Sequence, residues 1–464
     1  MTERITFDLD LIKRYDKSGP RYTSYPTAPQ MNTSLGEADY RKVALQTNKE
    51  DTPRPLSLYF HLPFCNTVCY YCGCNKIVTK DRTRARPYLD RLAKEIELQG
   101  ELYDRSRPVT QLHWGGGTPT FISHDEMGQL MQETGRHFSL LPDDQGEYSI
   151  ELDPREVKPG TIKLLRKLGF NRMSMGVQDF DPTVQKAVNR IQPESDTLSV
   201  LREARLHGFR SINMDLIYGL PFQSVESFGR TLDKIIDAEP DRLSVFNYAH
   251  LPEMFKPQRR INEADLPAPS AKLEILQMVI EKLSGAGYEY IGMDHFAKPE
   301  DELAIAQKKG TLYRNFQGYS THADCDLVGL GVTAISMVGN SYWQNVKTEA
   351  EYNERLDGDR LPVFRGLLMS EDDQIRRAVI MELICHFRLD FKQIETRFHI
   401  SFAEYFADEL ASLEPMQADG LLEMDASGLR ITDRGILLIR NICMQFDAYI
   451  ISAKRQPGQY SKVI

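Results

Sequence analysis

The sequence predicts an α/β fold: a partial (βα) TIM-like barrel with an N-terminal arm and a mostly helical C-terminal domain. Three observations lead there. Short apolar runs rich in β-branched and aromatic residues alternate with amphipathic segments at least six times, polar and glycine residues follow the runs, and the pattern turns helical after about residue 365. Repeated strand, helix, strand units require a parallel sheet with right-handed crossovers. In such a barrel chemistry collects in the loops after the strand C-termini.

Residues 1–54 read as a polar arm containing Gly19-Pro20-Arg21-Tyr22-Thr23-Ser24-Tyr25-Pro26-Thr27. Its two prolines exclude a regular helix there, and the arm is expected to fold over the barrel mouth as a cover. The barrel with its extension is expected over 55–364, with strands at 57–64, 111–114, 148–152, 172–177, 211–217, 242–248 and 288–293. Helical periodicity marks 88–103, 125–138, 160–168, 195–207, 225–238 and 270–286. The first strand is followed by clustered cysteines, the second by Gly115-Gly116-Gly117-Thr118-Pro119-Thr120, and the third by Glu151, Asp153 and Pro154. Gln178 and Asp179 follow the fourth, Tyr218-Gly219-Leu220-Pro221 the fifth, and Ala249-His250-Leu251-Pro252 the sixth. The C-terminal domain, 365–464, is expected to hold helices at 372–385, 390–398 and 402–413, a hairpin within 420–435 and a last helix at 435–453.

The chain has 464 residues, ample for a buried core, with 41% hydrophobic and 27% charged residues, which excludes wholesale disorder. No apolar run is long enough to span a bilayer, and the acidic N-terminal decapeptide has no h-region, so a cytoplasmic, membrane-free protein is expected. A formal charge of −9 argues against a nucleic-acid partner held on a basic face.

Four of the seven cysteines, Cys65, Cys69, Cys72 and Cys74, fall within ten residues, while Cys325, Cys385 and Cys443 are scattered and suit buried core positions. An odd count with one dense cluster reads as a metal or redox site rather than a disulfide framework. Cys65-x3-Cys69-x2-Cys72 places three soft ligands on one loop, which suits zinc or an iron–sulfur cluster. Were Cys74 a fourth ligand, the metal would be saturated and structural; without it one iron stays open. Phe64, Tyr70 and Tyr71 are expected to form an apolar collar around the site.

The segment His61-Leu62-Pro63-Phe64-Cys65-x3-Cys69-x-Tyr71-Cys72 resembles the signature of the radical S-adenosylmethionine (radical SAM) superfamily. Segments 19–27, 61–76, 113–120, 176–180, 217–221, 246–252, 292–296, 331–337 and 440–443 resemble, in order, the oxygen-independent coproporphyrinogen III oxidase (coproporphyrinogen dehydrogenase) family across essentially the whole chain. The resemblance implies a [4Fe-4S] cluster on Cys65, Cys69 and Cys72, with Cys74 a non-ligand. It implies two SAM molecules, the first met by Tyr59, Gly116, Glu151 and Ile335, the second by Tyr71, Gly117, Thr118, Gln178, Arg190, Asp215 and Ala249. Tyr59, His61 and Arg21 are the candidate catalytic residues, with Arg21 a carboxylate clamp for an anionic substrate. The implied reaction of heme biosynthesis is oxidative decarboxylation of the ring A and B propionates of coproporphyrinogen III to vinyl groups, giving protoporphyrinogen IX. An electron donor, an electron acceptor and a monomeric state complete the expectation. Heme chaperones of the same superfamily are the nearest alternative; the 19–27 arm and Gly73-Cys74-Asn75-Lys76 favour the dehydrogenase.

Overall fold

The structure, a computed structural model, describes residues 5–142 and 144–452. Residues 1–4 of the arm, and Ala453 at the end of the expected last helix with the tail beyond it, lie outside the described residues. By its contacts the chain divides into two units. A barrel unit comprises Met31–Lys272 and Asp324–Leu368; a helical unit comprises Met1–Gln30, Leu273–Ala323 and Met369–Ile464.

In the barrel unit, β1 (Leu56–Leu62), β2 (Pro108–Gly116), β3 (Glu147–Leu152), β4 (Arg172–Gln178), β5 (Ser211–Tyr218) and β6 (Arg242–Asn247) pair in succession, all parallel. These are the first six expected strands. On the other edge of β1 lies a parallel strand that periodicity did not single out, β7 (Asp326–Leu330). It continues antiparallel into β8 (Ile335–Val338), β9 (Ser341–Asn345) and β10 (Val363–Leu368). The seventh expected strand, 288–293, becomes Glu289–Gly292 in an antiparallel ladder with His295–Ala297, in the helical unit.

Alternation along the strands builds the site. Leu58, Phe60, Leu112, Trp114, Ile150, Met173, Met175, Ile212, Met214 and Leu216 share one face and are buried against the crossover helices. The intervening residues, Tyr59, His61, His113, Ser149, Glu151, Ser174, Asn213 and Asp215, share the other. Parallel register lines them up, with Tyr59 opposite His113, His113 opposite Ser149, and Glu151 opposite Ser174. The crossover helices begin where the sequence caps them. In His124–His137, Ser123 accepts from the Glu126 amide at 3.3 Å while Glu126 accepts from the Ser123 amide at 2.8 Å.

A buried ion pair and a buried carboxyl tie the barrel unit together. Arg107 and Asp326, each side chain 1% exposed, meet at 2.5 Å. Arg107 also donates to the Arg54 carbonyl at 2.6 Å and Thr47 Oγ1 at 2.9 Å, and Asp326 accepts from the Gly339 amide at 2.8 Å. Glu95, on helix Ala85–Gly100, is fully buried and accepts from Tyr352 Oη at 2.6 Å, Asn345 Nδ2 at 2.7 Å and the Gly331 amide at 2.7 Å. Burial pushes its carboxyl up to about 7, against the pull of these three donors.

The helical unit packs Glu371–His386, Phe391–Phe398 and Ala407–Ala418 with a three-stranded sheet, Arg388–Asp390, Gly428–Ile431 and Leu422–Met424. The expected helix 402–413 breaks at Phe406, whose fully buried ring packs on Phe402 at 4.7 Å and Phe446 at 5.4 Å. The expected last helix is split likewise. Asp447 leaves helical geometry between Met444–Phe446 and Ala448–Ser452 and accepts the Tyr22 hydroxyl at 3.0 Å. Tyr22 and Tyr25 of the arm are buried in this unit's core, and Arg440 Nε donates to the Pro20 carbonyl at 2.8 Å. The segment 19–27 is therefore built into a core, as its tyrosines require. Among the described residues no helix is long and apolar enough to cross a membrane.

Candidate active site

The C-terminal ends of β1 to β5 and the loops after them bring most of the expected residues into three connected groups. The first centres on Glu151. Its Oε1 lies 3.3 Å from His113 Nε2, and its Oε2 accepts the Gly116 amide at 3.2 Å. Burial would raise this carboxyl, but the histidine and the amide outweigh it and hold Glu151 below the usual carboxylate range. The side chain is nevertheless 47% exposed, so this anion remains open to a ligand. Tyr59 stacks on His113, centroids 5.8 Å apart and planes 11° off parallel, and its hydroxyl lies 3.2 Å from His61 Nδ1. His61 Nε2 donates to the Asn75 carbonyl at 3.0 Å, so Nδ1 is the acceptor for Tyr59. Burial depresses the His61 pKa, which keeps the ring neutral.

The second group surrounds the cysteine loop. Arg155 Nη2 and Arg190 Nη1 both donate to Cys69 Sγ, at 3.7 and 3.6 Å, and both pair with Asp153 Oδ2, at 2.6 and 3.1 Å. Burial raises the Asp153 carboxyl, but the two guanidiniums more than cancel that and hold it below its ordinary range. Thr118 Oγ1 donates to Cys65 Sγ at 3.7 Å. The hydrogen bond between Cys72 and Cys74 lowers the first thiol and raises the second, with Lys76 also favouring the Cys72 thiolate. Among the described residues the side chains form no closed group of three or more histidines, cysteines or acids around a metal position. The chemistry of the donor set nonetheless fits an anionic cluster: three thiols sit on one loop, with two guanidiniums, a hydroxyl and an ammonium to balance thiolate charge. Phe64 departs from the expected collar. It is fully buried, stacking on Phe121 at 5.4 Å and meeting Tyr88 edge-on at 5.5 Å, in the short strand Phe64–Cys65 that pairs with Ile77–Val78.

The glycine turn is fixed to this loop. The Gly117 amide donates to the Leu62 carbonyl at 2.9 Å and the Thr118 amide to the Phe64 carbonyl at 2.7 Å. A Cβ on Gly117 would stand 2.7 Å from the Pro63 and Phe64 carbonyl groups, and one on Gly116, at φ +114°, 2.9 Å from the His61 ring. Gly117→Ala is therefore expected to lower stability by about 1–3 kcal/mol, as overpacking against backbone does, and to displace the cysteine loop. Thermal unfolding checks the first effect and iron retention after reconstitution the second.

The third group lies at the ends of β4 and β5. Asp215 accepts from Ser174 Oγ and Asn213 Nδ2, each at 2.7 Å, and burial, helped by the nearby Glu151 charge, pushes its carboxyl up to about 6. Gln178 sits on a β-bulge with φ +68°, an uncommon conformation for a side-chain-bearing residue. Its Oε1 and Arg190 Nε are both buried without a hydrogen-bond partner. They belong to neighbouring side chains: a Cβ on Gly176 would lie 2.7 Å from Gln178 Nε2 and 3.0 Å from Arg190 Nη2. Unpartnered buried polar atoms are rare in native proteins, and a polar ligand would satisfy these.

The remaining candidates are more scattered. Tyr71 packs beside Val184, Val188, Leu220, Tyr248 and Ile261, and its carbonyl accepts from Gln258 Nε2 at 2.9 Å. Ala249 is exposed just after β6, and Ile335 begins β8, its carbonyl 2.6 Å from where a Gly329 Cβ would sit; Gly329 is the register partner of Tyr59. Arg21 lies in the helical unit, ion-paired with Asp294. Sequence reasoning gave no role to His113 or Arg155. The parity of β2, which puts His113 on the face of Gly115, could have found the first; no sequence signal joins Arg155 to Cys69.

The profile of the Radical SAM superfamily matches residues 59–235, and that of the HemN C-terminal domain matches residues 369–438. The oxygen-independent coproporphyrinogen III oxidase of Pseudomonas aeruginosa is 56% identical over 464 residues, 100% of either chain. That of Escherichia coli K12 is 50% identical over 100% of this chain and 99% of its own. A solved structure of coproporphyrinogen III oxidase (HemN) from Escherichia coli, described as a radical SAM enzyme, superposes with a TM-score of 0.91 at 50% identity, covering 96% of this chain and 100% of that one.

Proposed function

Because the chain belongs to the oxygen-independent coproporphyrinogen III oxidase family of the radical SAM superfamily, we propose that its site performs that family's reaction with the residues named above. The protein is a radical SAM oxidoreductase of heme biosynthesis. It converts the ring A and B propionates of coproporphyrinogen III to vinyl groups, giving protoporphyrinogen IX. Family membership implies a [4Fe-4S] cluster and SAM.

In the proposed arrangement Cys65, Cys69 and Cys72 hold the cluster and Cys74 does not. Bound there, cluster and SAM supply one-electron transfer and abstraction of a hydrogen from the substrate; the protein supplies position and exclusion of water. The observation that carries this reading is Cys69, whose sulfur is the common acceptor of Arg155 and Arg190 while Asp153 holds both guanidiniums in place. Glu151, kept anionic by His113 and Gly116, is an acceptor for the ligand's amino group or ribose. Tyr59, together with Gly116 and Ile335, lines the same first SAM position, and His61, whose Nδ1 accepts from the Tyr59 hydroxyl, is the candidate catalytic residue beside it. A second SAM is assigned to Tyr71, Gly117, Thr118, Gln178, Arg190, Asp215 and Ala249. Supporting it are the unpartnered Gln178 Oε1 and Arg190 Nε. Arg21 is a candidate contact for a substrate carboxylate. The reading further places the chain in the cytoplasm as a monomer, with an electron donor and an electron acceptor as redox partners. Seven free cysteines support a reducing compartment.

The reaction is tested by anaerobic reconstitution with iron and sulfide, followed by SAM, a reductant and coproporphyrinogen III. Protoporphyrinogen IX and carbon dioxide are expected; SAM-independent product, or none, overturns the reading. The Asp215 carboxyl, near 6, gives a second expectation. Above pH 6 it is an anion able to accept from ribose hydroxyls, and below it that capacity falls. SAM affinity should therefore weaken as pH drops through about 6, and Asp215→Asn should flatten the profile. The effect on folding has the opposite sign, since a raised carboxyl pKa stabilises the fold only while the group is protonated, and that stability is lost as pH rises through about 6.

A further inference from the structure

The helical unit contains a buried cation whose partner is missing. Arg314 is the middle residue of Tyr313–Asn315, which pairs antiparallel with Gly318–Ser320, and its cross-strand partner is Tyr319. It is 4% exposed, yet Nε and Nη1 are shut away from solvent with no hydrogen-bond partner. Buried arginines are normally paired, and a guanidinium left without an acceptor is costly.

The neighbourhood supplies support without an anion. The guanidinium lies over the Tyr319 ring at 4.7 Å, and the Tyr319 hydroxyl donates to the Ile384 carbonyl at 3.1 Å, which fixes the ring as a platform. A ring face attracts the charge but offers no in-plane acceptor to N–H groups. Asp294, the carboxylate that bears on this region, is bonded to Arg21. Arg440 is also close enough to act electrostatically, and its Nε is committed to the Pro20 carbonyl. Burial, with Arg21 next, depresses Arg440 to about 10, and burial followed by the charge of Arg314 depresses His295 to about 4. Arg21, Arg314 and Arg440 thus act on one another around a neutral histidine, with Asp294 bearing on all three, and the guanidinium of Arg314, without an acceptor at Nε and Nη1, is the one that calls for a negative charge.

We propose that Arg314 is a binding residue for a substrate carboxylate, a propionate of the tetrapyrrole that does not need to react to be held. This rests on the substrate class assigned above. It differs from the expectation for Arg21, which already has a carboxylate partner, and it assigns to the Tyr319 platform the role of presenting the guanidinium edge-on. Such an edge matches a carboxylate in plane and charge.

The test is equilibrium binding to the full chain, followed by fluorescence, of two stable probes. Coproporphyrin III keeps all the propionates, and its tetramethyl ester keeps the ring but carries no charge. The wild type should bind the acid more tightly than the ester. Arg314→Gln should weaken the acid about tenfold, the scale of one lost charge-assisted bond, and leave the ester unchanged. Arg314→Lys, which keeps the charge but not the planar fork, should fall between them, and it serves in place of Arg314→Gln if that variant does not fold. In turnover, KM for coproporphyrinogen III should rise while KM for SAM does not. Acid binding unchanged in both variants, or acid and ester weakened alike, overturns the assignment. A wild type that binds neither probe overturns the substrate reading itself, and the Arg314 assignment with it.

Discussion

Cys69→Ser is expected to reduce turnover to background and to leave the reconstituted protein with iron and sulfide well below the wild-type content. Serine replaces a soft thiolate by a hard, weakly acidic hydroxyl that is a poor iron ligand. The substitution also replaces the sulfur that Arg155 and Arg190 share by a smaller hydroxyl that stays neutral, so the two guanidiniums lose a potential thiolate partner at the site where a cluster would bring negative charge. The fold should survive, because both arginines keep Asp153. Iron and sulfide analysis, the cluster's visible absorbance and product formation are the measurements. Wild-type product from the serine variant would refute the ligand assignment, and a collapsed fold would show that Cys69 is chiefly a packing residue.

Asp326→Ala is expected to lower the stability of the barrel unit by about 3–5 kcal/mol, the usual cost of removing one partner from a buried ion pair. The Arg107 guanidinium would remain at 1% exposure with only the Arg54 carbonyl and the side chains of Thr47 and Asn48 as acceptors, all neutral. The Gly339 amide would lose its acceptor too. The damage should reach the site through β7, which carries Asp326 at its start and pairs with β1, the strand that leads into the cysteine loop. Denaturant unfolding of the variant and of the double replacement Asp326→Leu with Arg107→Met separates charge from packing: the double variant should recover most of the loss. A loss under about 1 kcal/mol in the single variant would mean that the pair contributes little.

Part of this was readable in the residues themselves. The first six barrel strands follow from runs of apolar and β-branched residues that end at glycine, cysteine or acidic loops. Parity along each strand then separates Leu58 and Phe60 from Tyr59 and His61. The strand β7 was hidden because Asp326-Leu327-Val328-Gly329-Leu330 is buried at every position, so it has no alternation to detect. The helical segments broke where tertiary partners outweighed periodicity, at Phe406, which packs into an aromatic cluster, and at Asp447, which takes the hydroxyl of a tyrosine more than 400 residues away.

By itself the sequence determined the class of the fold, the loop that carries three ligand-type thiols, and the acids and glycines that follow the strand ends, since each depends on local pattern. Only the tertiary structure decided which charges face which sulfur. Arg155 and Arg190, both paired with Asp153, meet Cys69 across loops from different strands, and that convergence has no trace in sequence spacing. The same holds for the arm, whose prolines excluded a helix but whose tyrosines found a core only through residues at the far end of the chain. It holds as well for Arg314, unremarkable in sequence, whose missing partner is visible only once its strand is folded and buried.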